Sequence, residues 1–146
     1  MRVMSSSAAE LTQEFGILSG RWAQYPDLGD MPFGAMWCVV PPGGCADTDR
    51  HAERELVVVV QGSADIHASG SMNKVEAGEA ALLDGEEAHI LANSRADEPL
   101  VTLSIYWLPA GKATDHEMDQ ATDHEIGKVT DQAGQVNSQE DHSDAR

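Results

Sequence analysis

Basic residues are scarce in this chain. Lys and Arg total 9 against 25 Asp and Glu, which gives 146 residues a net charge of -16. Such a chain repels phosphate backbones and anionic lipid surfaces, so neither nucleic acid nor a membrane is expected as a partner. No stretch approaches the ~20 consecutive apolar residues of a membrane-spanning helix. The opening, MRVMSSSAAELTQEF, lacks the apolar segment of a secretory signal, and a cytoplasmic location is expected. Cysteine is limited to Cys38 and Cys45, which flank Pro41-Pro42-Gly43-Gly44 with no CxxC or zinc-finger spacing. In a reducing compartment they are expected as free thiols, with Cys38 as a small core residue. Aromatic residues make up only 5%, yet hydrophobic residues reach 41%. That is enough for one domain with a real core.

The middle of the chain supplies that core as strands. Residues 33–40, FGAMWCVV, are β-branched and aromatic and end at the proline turn. Residues 56–60, LVVVV, are apolar at every position, which predicts burial on both faces, one in the barrel interior and the other under the second sheet or a partner chain. SADIHA and MNKVEA flank a turn at Ser69-Gly70-Ser71, and His67 falls on the polar, exposed parity. Short strands follow at 80–83 and 88–93. The loop 94–99 then leads into LVTLSIYW. Many short strands, Gly-rich turns and no central helix predict an all-β antiparallel sandwich or barrel.

Charge concentrates in residues 43–62, GGCADTDRHAERELVVVVQG. On one extended strand Asp49, His51, Glu53 and Glu55 share a parity. Three carboxylates and an imidazole on one face are costly to bury unless a cation compensates them, and a divalent metal prefers those ligand types. A solvated edge strand is the alternative reading of this stretch alone. A second Gly-bounded stretch, residues 78–93, adds His89 and Asn93.

These two stretches resemble the paired motifs of the cupin superfamily. Gly43, Asp49, His51, Glu55 and Gly62 fall on the first motif, with Asp49 where a His is expected. Gly78, His89 and Asn93 fall on the second, with Asp84 in place of a Pro and Glu86 in place of a Gly. The resemblance covers residues 31–107. It implies a cupin-type double-stranded β-helix, a jelly-roll barrel over residues 31–109, with a short N-terminal helix and arm over 1–30 and a flexible acidic tail over 110–146. It also implies one divalent ion (Fe, Zn, Mn or Ni) held by Asp49, His51 and Glu55 from one sheet and His89 from a strand opposite. Asn93 is read as tying down a turn.

Small cupins resemble dioxygenases, isomerases, lyases and cyclases. The expected function is therefore a metal-dependent enzyme acting on a small organic substrate, by O₂ chemistry or by Lewis-acid chemistry. A ligand-binding or sensing cupin without turnover is the alternative, and a structural dimer with a degenerate site is the third reading. Glu53 is the candidate catalytic residue, as a general base; it would otherwise orient a ligand His or be a solvated carboxylate. Arg50 and Arg54 have the opposite parity and are expected to face away. Met36, Trp37, Tyr106 and Trp107 are candidates for the pocket mouth, or for core.

The two ends of the chain read differently. Ser7 and Glu10 have the spacing of a capping box, which predicts a helix over 8–15. An arm with Trp22 and Tyr25, and a strand apolar on both faces, leave area to cover, so a homodimer is expected. Residues 110–146 hold nine acids and three bases and repeat ATDHE twice. They are expected to be disordered, or, on a sharper reading of His116 and His124, to scavenge metal.

Overall fold

A computed structural model of the chain describes residues 1–26 and 28–110. The expectations for the acidic tail, the ATDHE repeats, His116 and His124 fall outside the described residues.

Nine strands make up the described residues: β1 (Thr12–Glu14), β2 (Ile17–Arg21), β3 (Gly34–Val40), β4 (Arg54–Gln61), β5 (Ser63–Ala68), β6 (Ser71–Glu76), β7 (Ala80–Leu83), β8 (His89–Ala92) and β9 (Leu100–Trp107). Six form one sheet in the order β1-β2-β3-β9-β4-β7 and three form another in the order β6-β5-β8. Every pairing between them is antiparallel. Residues 43–49 run beside β8, with backbone bridges from Cys45 to Ala92 and from Asp49 to His89, and so add an irregular edge to the smaller sheet. This is the all-β, jelly-roll architecture expected from the strand pattern. Among the described residues no helix is long and apolar enough to cross a membrane.

Register fixes which residues meet inside. Val57 pairs with Ser104 and Ala81, and Ser104 pairs with Met36, so these side chains share the inner face with Glu55, Cys38 and Leu83. Val40, Val59 and Leu100 are fully enclosed there, and Ala64, Ile66 and Leu91 cover them from the second sheet. Each buried Val, Leu or Ile contributes about 1.5–3 kcal/mol.

Two expectations are corrected. No helix forms over 8–15; a single 3-10 turn at Ser6–Ala8 precedes strand β1. Glu10 does not close a capping box, because its N–H donates to the Gln24 side chain at 2.8 Å. Ala9 and Leu11 instead lie within 3.1 Å of where a Cβ on Gly20 would stand, against β2. Pairing with the sheet outweighs the weak helical preference of so short a segment. β1 and β2, within the stretch read as an arm, thereby extend the large sheet. The second correction concerns β4, which is buried within the chain on one face only. Val57 and Val59 are enclosed, Leu56 and Val58 are half-buried, and Val60, at a bulge, is 50% exposed.

Candidate metal centre

Three stretches of chain bring the site together. Asp49 and His89 exchange two backbone hydrogen bonds of 3.0 Å, which ties the edge segment to the start of β8. His51 sits in the turn that carries the chain from the small sheet to the large one. Glu55 opens the inner face of β4. The expectation that positions 49, 51, 53 and 55 lie on one strand face is therefore corrected, since the segment changes sheets between Asp49 and Glu55. Asp49 stands beside His89 rather than opposite it.

The imidazoles are oriented from behind. His51 Nδ1 donates to the Glu53 carbonyl at 3.1 Å, and His89 Nδ1 donates to the Glu87 carbonyl at 2.9 Å. A carbonyl can only accept, so both Nδ1 atoms carry hydrogen and both Nε2 atoms face inward. There they meet one acceptor. Glu55 Oε2 lies 3.1 Å from His51 Nε2 and 3.4 Å from His89 Nε2. The rings are 5.2 Å apart and nearly perpendicular. One ligand atom each of Asp49, His51 and His89 also fall within 4.8 Å of one another.

Electrostatics follow from this crowding. Burial pushes the Glu55 carboxyl up, but hydrogen bonds from His89, Ser104 and His51 outweigh it and hold the group below its ordinary value. Burial pulls the His89 imidazole down, yet the hydrogen bonds to Glu55 and to the Glu87 carbonyl leave it raised overall. Two imidazole nitrogens directed at one carboxylate oxygen require positive charge between them, as protons or as a metal ion. Ligand atoms about 2.1 Å from a shared ion sit about 3.0–3.4 Å apart, which is the spacing of Glu55 from each imidazole. The donor set fits a divalent metal.

The other candidates separate. The Glu53 carboxylate lies 3.6 Å from His51 Nδ1, on the side of the ring away from Glu55, and does not line the cavity. Arg50 pairs with Glu86 and Arg54 with Asp84, as expected of outward groups. His67 is exposed. Both cysteines are free thiols, Cys38 buried and Cys45 exposed. Burial pushes the Cys38 thiol up to about 11. Met36 lines the cavity beside the cluster, whereas Trp37 packs against Trp22 with ring centroids 5.9 Å apart. Tyr106 lies against Gly34, which has no room for a side chain. The sequence reading missed Phe15, Asp47 and Ser104 as cavity residues. Only Ser104 carried a signal, its parity on β9.

A family model described as a cupin domain matches residues 36–106. The chain belongs to the cupin superfamily. Among solved structures it is similar to plu4264 protein from Photorhabdus luminescens, at 26% identity over 73% of this chain and 86% of that one, with TM-score 0.64. A Cupin 2 conserved barrel domain protein from Salinispora arenicola is 25% identical over 73% of this chain and 88% of its own, with TM-score 0.65. A predicted oxalate decarboxylase from Thermotoga maritima shares the fold at 18% identity and TM-score 0.63, over 74% of this chain and all of its own. No curated protein matches this sequence.

The cupin motif departures have physical readings. Glu86, standing where the family has Gly, keeps the left-handed backbone with φ +66°, and its N–H donates to the His51 carbonyl at 2.6 Å. A side chain in that conformation costs about 1–2 kcal/mol. The turn that presents His51 retains it. Asp49, in place of a His, directs Oδ1 to the Arg50 N–H at 2.7 Å.

Proposed function

We propose that this cupin is a metal-dependent enzyme acting on a small organic molecule in the cavity beside His51, Glu55 and His89. The observation that carries this is the single Glu55 oxygen set 3.1 and 3.4 Å from two Nε2 atoms whose partner nitrogens are already committed. His51, Glu55 and His89 would hold the ion, and Asp49, within reach of both imidazoles, would be the exchangeable fourth ligand. Two neutral imidazoles and two carboxylates balance a divalent charge. When bound, the metal supplies Lewis-acid polarisation or O₂ activation. The chain's own groups do the rest. The Glu53 and Glu87 carbonyls fix the tautomers, and the Glu53 carboxylate steadies His51. Asp49 and Asp47 are the acids on the cavity wall able to take a substrate proton, and the apolar walls keep water out. The Cys38 thiol, pushed up to about 11, is unsuited to act as a nucleophile at neutral pH.

Elemental analysis of untagged protein tests the site, with about one equivalent of metal expected in wild type and near none in His51→Ala and His89→Ala. Turnover of candidate substrates that ceases on chelation and returns with metal tests the chemistry. Metal without turnover favours the sensing alternative.

We also propose that the chain functions as a two-fold homodimer through the outer face of the large sheet. Leu56, Val58 and Val60 on β4, Leu82 on β7 and Leu103 and Ile105 on β9 share that face. Leu82 and Val60 are 52% and 50% exposed. On a chain of net charge -16, an uncharged surface is where a second copy can approach without repulsion. Light scattering during size exclusion checks it, and a monomer at micromolar concentration would refute it.

A further inference from the structure

The cavity beside the metal cluster has apolar walls and no fixed positive charge. Ile17, Met36, Val57, Ile66, Leu83 and Leu91 form most of its surface. Its polar groups besides His89 are the Cys38 thiol, the Ser104 hydroxyl and the acids Asp47, Asp49 and Glu55. Among the described residues neither Lys nor Arg lines it. The Arg21 guanidinium, beside the Phe15 ring, is engaged by Glu14 at 2.8 Å. An anion entering this space would join three carboxyl groups, and the charge of a divalent ion, or of protons on the two imidazoles, would already be balanced by the carboxylates it faces. The free space is narrow, holding roughly three water molecules.

The mouth carries a second irregularity. Phe15 and Gly16 join β1 to β2 with φ of +53° and +74°, the left-handed pair of a type I′ turn. That turn favours Asn, Asp or Gly at its first position. The β5–β6 hairpin makes the same turn with Ser69 and Gly70, at φ +49° and +76°. A bulky residue is an outlier in this conformation. Phe15 nonetheless lines the cavity and is 38% exposed, so its ring stands between the cavity and solvent. The Asp47 N–H donates to its carbonyl at 2.8 Å, and the Arg21 guanidinium lies 5.8 Å from its ring centroid. Gly16 is needed for contact as well as conformation, since a Cβ there would stand 3.1 Å from the Asp47 carboxylate.

We propose that the cavity takes an uncharged, largely apolar small molecule, and that Phe15 is the side chain that limits its size. The inference rests on the reading of this cavity as the substrate site. It is tested on the full chain, both metal-loaded and chelated, with two probes of nearly equal shape, 3-methylbutan-2-one and isobutyrate. Binding is followed by amide chemical shifts. In the chelated protein the ketone should bind at least tenfold more tightly than the carboxylate. Equal or tighter binding of isobutyrate, or no binding of either probe, overturns the proposal. Acetophenone tests the mouth. Phe15→Asn places a favoured residue in the turn, so the melting temperature should hold or rise while acetophenone binds at least tenfold more tightly than to wild type. Phe15→Leu should give an intermediate gain. Unchanged acetophenone binding in both variants overturns the role of Phe15. Zinc titration of the same samples separates the two readings. Loss of zinc binding with the probe preference kept defeats only the metal assignment, whereas zinc bound with the preference reversed defeats only this inference.

Discussion

Strand β8 ends in a buried polar residue on each side, and the two are handled differently. Asn93, just past its C-terminal end, is closed within the chain. Its Nδ2 lies 2.9 Å from the Glu98 carbonyl, 3.2 Å from that of Val40 and 3.3 Å from that of Pro41, while Oδ1 accepts the Arg95 N–H at 3.1 Å. His89, at the other end on the same parity, is closed on one nitrogen only. Its Nε2 stands 3.4 Å from a carboxylate oxygen that His51 also approaches. Buried polar groups are normally satisfied. A side chain satisfied by neutral groups of its own fold is a fastener, and one that shares a single carboxylate oxygen with another of its kind has the arrangement proposed above for a ligand.

The largest test of that contrast is deletion at the open end. His89→Ala or His51→Ala should weaken zinc binding at least about a hundredfold, since changes to the outer partners of ligands alone cost roughly ten- to a hundredfold. Calorimetric titration measures it, and unaltered affinity would remove the distinction. Deletion at the closed end should act on folding alone. Asn93→Ala removes the side-chain partner of the Glu98 and Val40 carbonyls and of the Arg95 N–H, while the Pro41 carbonyl keeps the Gly44 N–H at 2.9 Å, a loss of about 2 kcal/mol or more. Urea unfolding should show it, with zinc affinity within about twofold of wild type once folded.

Much of this contrast was legible in the sequence, and the exceptions have physical causes. Gly43, His51, Glu55, Gly62, Gly78, His89 and Asn93 kept motif spacing, so the fold and the cluster could be read from the chain. Position 49 was placed with His51 and His89, where the structure has it, but on the wrong geometry. Parity along a strand cannot show that the chain leaves one sheet for the other between Asp49 and Glu55. Ser7 to Glu10 suggested a helix because local capping is visible in sequence, whereas the competing contact of Ala9 and Leu11 with Gly20 is not. Phe15 was unreadable for a similar reason. Nothing in Glu14-Phe15-Gly16-Ile17 announces a cavity that closes only when Asp47 and Leu83 arrive from elsewhere.

Acidity provides a smaller effect that should also fall on one end only. In chelated protein the raised His89 adds stability that is fully present below its ordinary value of 6.5 and lost as pH rises through its folded value. The lowered Glu55 adds stability present above 4.5 and lost as pH falls through its folded value. The metal-free chain should therefore be most stable between those two values and decline toward alkaline pH. Zinc, which needs deprotonated ligands, should stabilise more as pH rises. Asn93→Ala should lower thermal unfolding curves by the same amount at every pH. A flat metal-free profile would mean that His89 and Glu55 do not interact.

The smallest effect concerns the two thiols, which repeat the contrast of closed and open in a form that is easily counted. Cys38 lies on the inner face with its Sγ 3.8 Å from the Ser104 hydroxyl, and burial holds it near 11. At pH 8 about one part in a thousand would be thiolate even with free access. Cys45 is exposed on the edge segment beside β8. A thiol reagent should thus modify one cysteine per native chain and two after unfolding. Because Cys38 is covered by apolar side chains rather than by the ion, chelation should leave the native count at one. If it rises to two, the metal holds the sheets together over the cavity, and the open end of β8 is part of the fold after all.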